Sequence, residues 1–317
     1  MQFPTKSRSH RPFTCTNGER HGLDMQYRNP YRGTSTADDV VAGIDLSRKR
    51  IVVTECDSPV SVETMKALAA NGAEIIGLAR SADSARTACR EASRSSTPLA
   101  CDMRNDESVA AAIAALKLLG PLDAIIINCA QVPGTLIETD WSAGTQLRTD
   151  HISCFRLVTL LIDSLRLRAG RIVVENDHRA DLASALLTTE LSRRVVRSSI
   201  AVNSFSTTAV SLHGKGTLQG RAMSVLSAVA RWRRRSPSQL AATPVLLAAS
   251  PTVAGATGLN WSACQISAID PHREAPPAAS EFLAGTALTG MRQAGCHLTK
   301  TLMGKYPHAG VLRGNEH

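Results

Sequence analysis

Short apolar runs separated by helical patterns occupy the chain from residue 50 onward. Six runs are predicted as strands: Arg50–Thr54, Glu74–Leu78, Pro98–Asp102, Asp123–Asn128, Arg171–Val174 and Ile200–Ser204. The helical patterns between them are Val60–Asn71, Ala82–Ser93, Asp106–Leu118, Thr145–Leu167 and Leu182–Val196. Apolar runs without polar alternation, each followed by a helix, are typical of a parallel sheet covered on both faces. Since such crossovers are right-handed, the sequence predicts an α/β protein with a doubly wound, mostly parallel, Rossmann-like sheet and helices on both faces.

The two ends of the chain differ from this region. Residues 1–36 are polar and show no periodicity, so we predict a disordered extension there. Met25 is a second candidate start, which leaves open whether residues 1–24 belong to the native protein. The predicted Rossmann-like domain covers residues 37–270, and residues 271–317 form a predicted irregular tail rich in Pro, Ala and Gly.

Composition narrows the classes of partner. The net charge is +9, but the basic residues are scattered, and the one dense patch, Arg231–Arg235, is closed by Ser236-Pro237 as a helix end would be. We therefore expect no nucleic-acid partner. No apolar run reaches the ~18 residues that cross a membrane. Eight cysteines without metal-site spacing fit a reducing cytoplasm. We expect no metal, and the cysteines predicted as small core residues are Cys56, Cys101, Cys129 and Cys154.

The turn after the first predicted strand is the most informative motif, and residues 53–61 read VTECDSPVS. A strand, a tight turn and a helix begin a dinucleotide site, in which glycines let the backbone approach the pyrophosphate at the helix N-terminus. This turn contains no glycine. Asp57 or Ser58 can instead cap the helix, and Pro59 suits its first turn.

The order of several motifs resembles the short-chain dehydrogenase/reductase superfamily, and within it the retinol-dehydrogenase-like branch, over roughly residues 34–265. Where the family has L-D-x-L-I-N-N-A-G-V, this chain has LDAIIINCAQV. Where it has T-N-H-x-G-x-F-x-L-x-x-L-L, this chain has TDHISCFRLVTLLIDSL. The family's late helix and final strand match SPSQLAATPVLLAASPTVAGATG. The resemblance implies a Rossmann fold and, in ordinary members, an NAD(P)-dependent oxidoreductase.

The cofactor motif departs from that family. Its T-G-x-x-x-G-x-G appears here as Thr54-Glu55-x-x-x-Pro59-x-Ser61. Pro59 removes a backbone N–H, and Glu55 and Asp57 add carboxylates, each costing roughly 3 kcal/mol at ~5 Å from a phosphate charge. We therefore expect no bound nucleotide, and NADP if there is one.

Three positions on the cofactor side persist by the resemblance. Arg80 stands where NADP-preferring relatives keep an arginine for the 2′-phosphate, Asp102 matches the aspartate beside the adenine, and Asn128 matches one asparagine of N-N-A-G. These are weak, vestigial candidates for cofactor binding. Arg80 as a surface charge, and Asp102 and Asn128 as turn or cap residues, are equally good interpretations.

The family's catalytic Y-x-x-x-K pair is missing. The tyrosines are Tyr27, Tyr31 and Tyr306, all outside the predicted sheet, and no lysine lies between Lys117 and Lys215. Counting back from ELSRRV, the motif falls on residues 177–181, with Asp177 at the tyrosine and Asp181 at the lysine. The tetrad asparagine becomes Asp150.

Several functions stay open from the sequence. A histidine between carboxylates can transfer protons near neutral pH. His178 with Asp177, Asp181 and Asp150 therefore suggests a non-redox small-molecule enzyme of the isomerase, lyase, dehydratase or cyclase type. The resemblance and the composition suggest chemistry of secondary metabolism. The competing interpretation is a polar loop in which Asp177 caps a helix. A silent binding subunit, as a homodimer or a heterodimer with an active relative, is the second hypothesis. The third is an atypical NAD(P)-dependent oxidoreductase acting on a hydroxyl or carbonyl.

Overall fold

A computed structural model of the chain describes residues 27, 29–128, 154, 156–166, 169–176, 188, 191, 192, 195, 200–207 and 235–267. These residues form one eight-stranded sheet with the spatial order β3-β2-β1-β4-β5-β6-β7-β8. Seven strands are parallel, and β8 pairs antiparallel with β7. The strands are β1 Arg50–Val53, β2 Glu74–Ala79, β3 Thr97–Ala100, β4 Ala124–Ile127, β5 Arg171–Glu175, β6 Ala201–Ser206, β7 Asn260–Ser262 and β8 Gln265–Ile266.

Side-chain caps explain where five of the described α-helices begin. The helices are α1 Ala37–Val41, α2 Pro59–Ala70, α3 Ala82–Ala92, α4 Asp106–Leu119 and α5 Pro237–Ala249. The side-chain oxygens that accept a first-turn N–H belong to Thr36, Ser58, Ser81, Asn105 and Ser236. These are the residue types that cap helices best. Residues 156–161 are also helical.

Each face of the sheet is covered by its own apolar layer. Ile51 and Val53 of β1 face a layer to which α1, α2 and α5 contribute, whereas Val52 faces a layer with α4 and residues 157–161. Adjacent residues of one strand therefore pack on opposite faces, as the pleat requires. This confirms the predicted doubly wound α/β fold with helices on both faces. No helix in the described part of the chain is long and apolar enough to span a membrane.

The six predicted strands all occur, with ends that differ by one or two residues. Among the α-helices and strands of the described residues, two were not predicted: the short helix α1 and the last strand, β8. Cys56, Cys101 and Cys154 are buried free thiols, as expected for small core residues, while Cys129 lies outside the described residues.

Part of the segment predicted to be disordered packs on this hairpin. The Asn29 amide donates to the carbonyl oxygen of Cys264, and the Gln265 amide donates to that of Tyr31. The Tyr27 ring lies 6.3 Å, centroid to centroid, from the Trp261 ring. The prediction of disorder was therefore wrong for residues 29–36, because these contacts join positions far apart in sequence and leave no local pattern. Residues 1–26 and 268–317 lie outside the described part.

Candidate functional site

The carboxyl ends of β1 and β4 meet where the chain changes direction across the sheet. From β1 the order runs outward through β2 and β3 on one side, and through β4, β5 and β6 on the other. In doubly wound folds, ligands bind in the crevice at this switch point. The candidate site is therefore built from the β1–α2 turn, residues 54–58, and from the residues that follow β2 to β6.

The β1–α2 turn contains a residue with a left-handed backbone although it has no glycine. Glu55 has a φ of +46°. This left-handed conformation is unfavourable for any residue that carries a Cβ atom. The Ser58 hydroxyl oxygen accepts from the Ser61 N–H at 3.1 Å, and Pro59 occupies the first helical position. This confirms Ser58 as the cap and the suitability of Pro59 for the first turn.

Hydrogen-bonding groups in the first turn of α2 are already bonded to residues of the turn itself. Ser61 is fully buried, its N–H is taken by Ser58, and the two hydroxyl oxygens lie 2.7 Å apart. Pro59 has no N–H to offer. Of the three positions that open the helix, only Val60 keeps an amide hydrogen outside the cap. A pyrophosphate normally binds several such amides at once.

Asn128, directly after β4, joins the two central strands at their carboxyl ends. Its side-chain NH₂ donates to the Thr54 carbonyl oxygen at 3.0 Å and to the Ser61 hydroxyl at 2.9 Å. Its backbone N–H donates to the Thr54 hydroxyl at 3.0 Å. The Asn128 residue is 7% exposed. Both amide hydrogens are therefore used to hold the β1–α2 turn.

The other two cofactor-side candidates differ in their surroundings. Arg80 follows β2 and is exposed, and its side chain makes no hydrogen bond or ion pair with any described residue. Asp102 follows β3, where one carboxylate oxygen accepts from the Arg104 N–H at 3.0 Å and its own N–H donates to Ser108. Asp102 thus makes the contacts of a turn residue, whereas Arg80 has a free guanidinium at the same edge.

Beyond β4, the carboxyl ends of the strands carry a group of polar residues from β5, β6 and β7. The Thr207 hydroxyl, after β6, donates to a Glu175 carboxylate oxygen at the end of β5, at 3.1 Å. The Asn176 side-chain NH₂ donates to the Asn260 side-chain oxygen at 2.6 Å, and the buried side-chain oxygen of Asn176 has no partner among the described residues. Register in the sheet brings these residues together, because β5 pairs with β6 and β6 with β7.

The predicted catalytic group falls outside the described residues. This holds for all four members, Asp150, Asp177, His178 and Asp181, so their roles stay predictions. Of the three tyrosines, Tyr27 and Tyr31 pack on the layer that contains Trp261, and Tyr306 lies outside the described residues. Neither described tyrosine lies at the carboxyl ends of β4 and β5.

The sheet order and the strand–turn–helix at its switch point define a protein of the doubly wound, Rossmann-like class. A family model described as short chain dehydrogenase matches residues 49–175. A Streptomyces antibioticus protein named "Probable oxidoreductase" is 31% identical over 68% of this chain and 85% of its own length. The chain belongs to the short-chain dehydrogenase/reductase family.

Other relatives agree with this assignment. The WW domain-containing oxidoreductase of Danio rerio is 28% identical over 81% of this chain and 72% of its own length. Among solved structures, L-sorbose reductase from Gluconobacter frateurii, complexed with NADPH and L-sorbose, superposes with a TM-score of 0.54 at 19% identity. That match covers 69% of this chain and 96% of the reductase, and it shows the shared fold.

Proposed function

We propose that this chain is a family member that has lost conventional hydride transfer and acts without a bound nicotinamide nucleotide. The observation that carries the proposal is the self-satisfied β1–α2 turn. The Ser61 N–H already donates to the Ser58 hydroxyl oxygen, and Pro59 has no N–H. Both side-chain amide hydrogens of Asn128 are bonded within the same turn and the start of its helix. Glu55 and Asp57 add negative charge beside the same helix end, where a pyrophosphate would be repelled.

The sequence supports the same proposal at the reaction centre. Asp177 stands at the position of the family's tyrosine, and Asp181 at that of its lysine. An aspartate has an ordinary pKa of about 3.9, so it is ionised at neutral pH and does not protonate an alkoxide.

The cleft at the carboxyl edge then serves small-molecule chemistry or binding. In the enzyme version, His178 acts as acid or base, and Asp177, Asp181 and Asp150 orient it, in an isomerase, lyase, dehydratase or cyclase type of reaction. In the binding version, the chain is a silent subunit of a homodimer or of a heterodimer with an active relative. A His178→Ala substitution removes the activity of the enzyme and leaves the assembly of the binding subunit intact.

An atypical NADP-dependent oxidoreductase is the second candidate. Two observations favour it: the exposed guanidinium of Arg80 beside β2 has no described partner, and relatives of the chain carry oxidoreductase names. A 2′-phosphate is the group that such an arginine would bind.

The deciding experiment is a thermal-shift and calorimetric titration of the full chain with NADH and NADPH. A site filled at 100 times its Kd stabilises the fold by about 2.7 kcal/mol. We expect no shift with the wild type. The matched variant is Glu55→Gly/Pro59→Gly, which restores the first two of the three glycine positions of the family motif and should gain a measurable shift.

Each outcome has a defined meaning. No shift in the wild type together with a gain in the variant supports the turn as the cause. A wild-type shift with NADPH that Arg80→Ala abolishes overturns the proposal in favour of the NADP-dependent enzyme.

A further inference from the structure

Two free cysteines from different elements meet beneath the β1–α2 turn. Cys56 lies in the turn and is 0% exposed, and Cys89 lies on α3 and is 2% exposed. Gly77 of β2 lies next to both sulfur atoms. A Cβ placed on Gly77 would stand 2.6 Å from the Cys89 sulfur and 3.1 Å from the Cys56 sulfur. The glycine therefore leaves the space that the two sulfur atoms share.

The interaction between the two thiols shifts their pKa values in opposite directions. The interaction with Cys89, together with burial, raises the pKa of the Cys56 thiol. The interaction with Cys56, together with that of the Gly77 backbone, lowers the pKa of Cys89 despite its burial. Cys89 is therefore the first of the two to become a thiolate, the form that reacts.

We propose that Cys56 and Cys89 are an oxidation site, a thiol pair that a hydroperoxide converts to a disulfide. The Cys89 thiolate attacks one peroxide oxygen, the O–O bond breaks, and Cys89 becomes a sulfenic acid. The Cys56 thiol then gives up its proton as its sulfur attacks the Cys89 sulfur, the S–O bond breaks with the oxygen leaving as water, and the S–S bond forms. The two thiols lose two electrons and two protons, and hydrogen peroxide is reduced to two molecules of water.

The disulfide would tie the β1–α2 turn to α3. Cys56 follows Glu55, the residue with the left-handed backbone, and its N–H donates to the Leu78 carbonyl of β2. Oxidation would therefore fix the β1–α2 turn, which lies at the switch point of the sheet. Because both sulfurs are closed to solvent, the oxidant enters when the turn opens, so we expect a slow reaction. The proposal holds whether or not the chain binds a nucleotide.

Peptide mapping of the oxidised full chain tests the proposal. The folded protein is treated with hydrogen peroxide, blocked with N-ethylmaleimide in denaturant, and digested with trypsin. Cleavage places Cys56 alone in peptide 51–66 and Cys89 alone in peptide 87–90. We expect these two peptides as one linked species, lighter than the free pair by two hydrogen atoms and absent after reduction.

Two cysteine variants and a control treatment in denaturant test whether the linked species depends on this pair and on the folded structure. Cys264 is buried beside Thr243, and burial raises its pKa to about 11, so Cys264→Ser should leave the linked species unchanged, whereas Cys89→Ser should abolish it. The same treatment in denaturant should yield far less of this pairing. The proposal is overturned if the wild type gives only singly blocked peptides, or if the pairing is no more frequent in the folded protein than in the unfolded one.

Discussion

Gly77 lies in the middle of β2, with the Cys56 and Cys89 sulfurs packed over its Cα hydrogen. A methyl group there would stand 2.6 Å from the Cys89 sulfur, closer than van der Waals contact allows. We expect Gly77→Ala to lower the free energy of unfolding by about 1–3 kcal/mol, the usual cost of overpacking a core. Urea unfolding measures this loss.

Two further variants show whether the sulfur is the cause. Cys89→Ala removes the closest atom, so the loss from Gly77→Ala should shrink in that background, with a coupling of about 1 kcal/mol. Gly255 has nothing within 4 Å of its added Cβ, and Gly255→Ala should change stability by less than about 0.5 kcal/mol. Strictly additive effects of Gly77→Ala and Cys89→Ala would contradict the packing argument.

At the scale of elements, the strands were predictable because each carries its own signal. The β1, β2, β4 and β5 runs are apolar without alternation, and both of their faces are buried. The cap of α2 was predictable too, since Ser58 and Pro59 are adjacent to the helix they begin. Local sequence determines these features.

Features that depend on pairing distant positions could not be predicted. Asn128 was a candidate for cofactor binding or for a turn, and only the register of β1 beside β4 shows its amide on Thr54 and Ser61. The meeting of Cys56 with Cys89 depends on how α3 returns over β2. The site of the catalytic candidates stays a prediction, since those residues are outside the described part.

The segment before α1 yields an element-scale prediction. Asn29 donates to the Cys264 carbonyl at the β7–β8 hairpin, whereas the exposed Arg32 donates to neighbouring carbonyls of its own segment. We expect Asn29→Ala to lower the free energy of unfolding by about 1 kcal/mol and to speed proteolysis between residues 29 and 36. Arg32→Ala is the control and should have a smaller effect on both measurements. Equal effects would mean that the hairpin contact does not hold the segment.

Across the whole molecule, the two ends of the strands have different roles, and we call them the carboxyl edge and the amino edge of the sheet. The carboxyl edge carries the turn and the candidate site, whereas the amino edge is held by one buried carboxylate. Asp123, 7% exposed at its side chain, accepts from the Lys49 ammonium at 3.1 Å, the Arg50 N–H at 3.0 Å and the Arg166 guanidinium at 3.0 Å. It thereby joins β1, β4 and the segment that leads into β5.

Asp123→Asn should therefore weaken the frame without changing the carboxyl edge. An amide is neutral and accepts through one oxygen only, so we expect a loss of about 1.5–3 kcal/mol in the free energy of unfolding, the range for hydrogen bonds to a charged group. Asp106→Asn is the matched control, because Asp106 is 72% exposed in its ion pair with Arg156 and such pairs contribute about 0.2–1 kcal/mol. Urea unfolding compares the two variants, and oxidation of the Cys56–Cys89 pair in the folded Asp123→Asn protein should remain as in the wild type. A changed oxidation pattern at full folding would show that the two edges are coupled through the sheet, and the separation of frame and site would then be wrong.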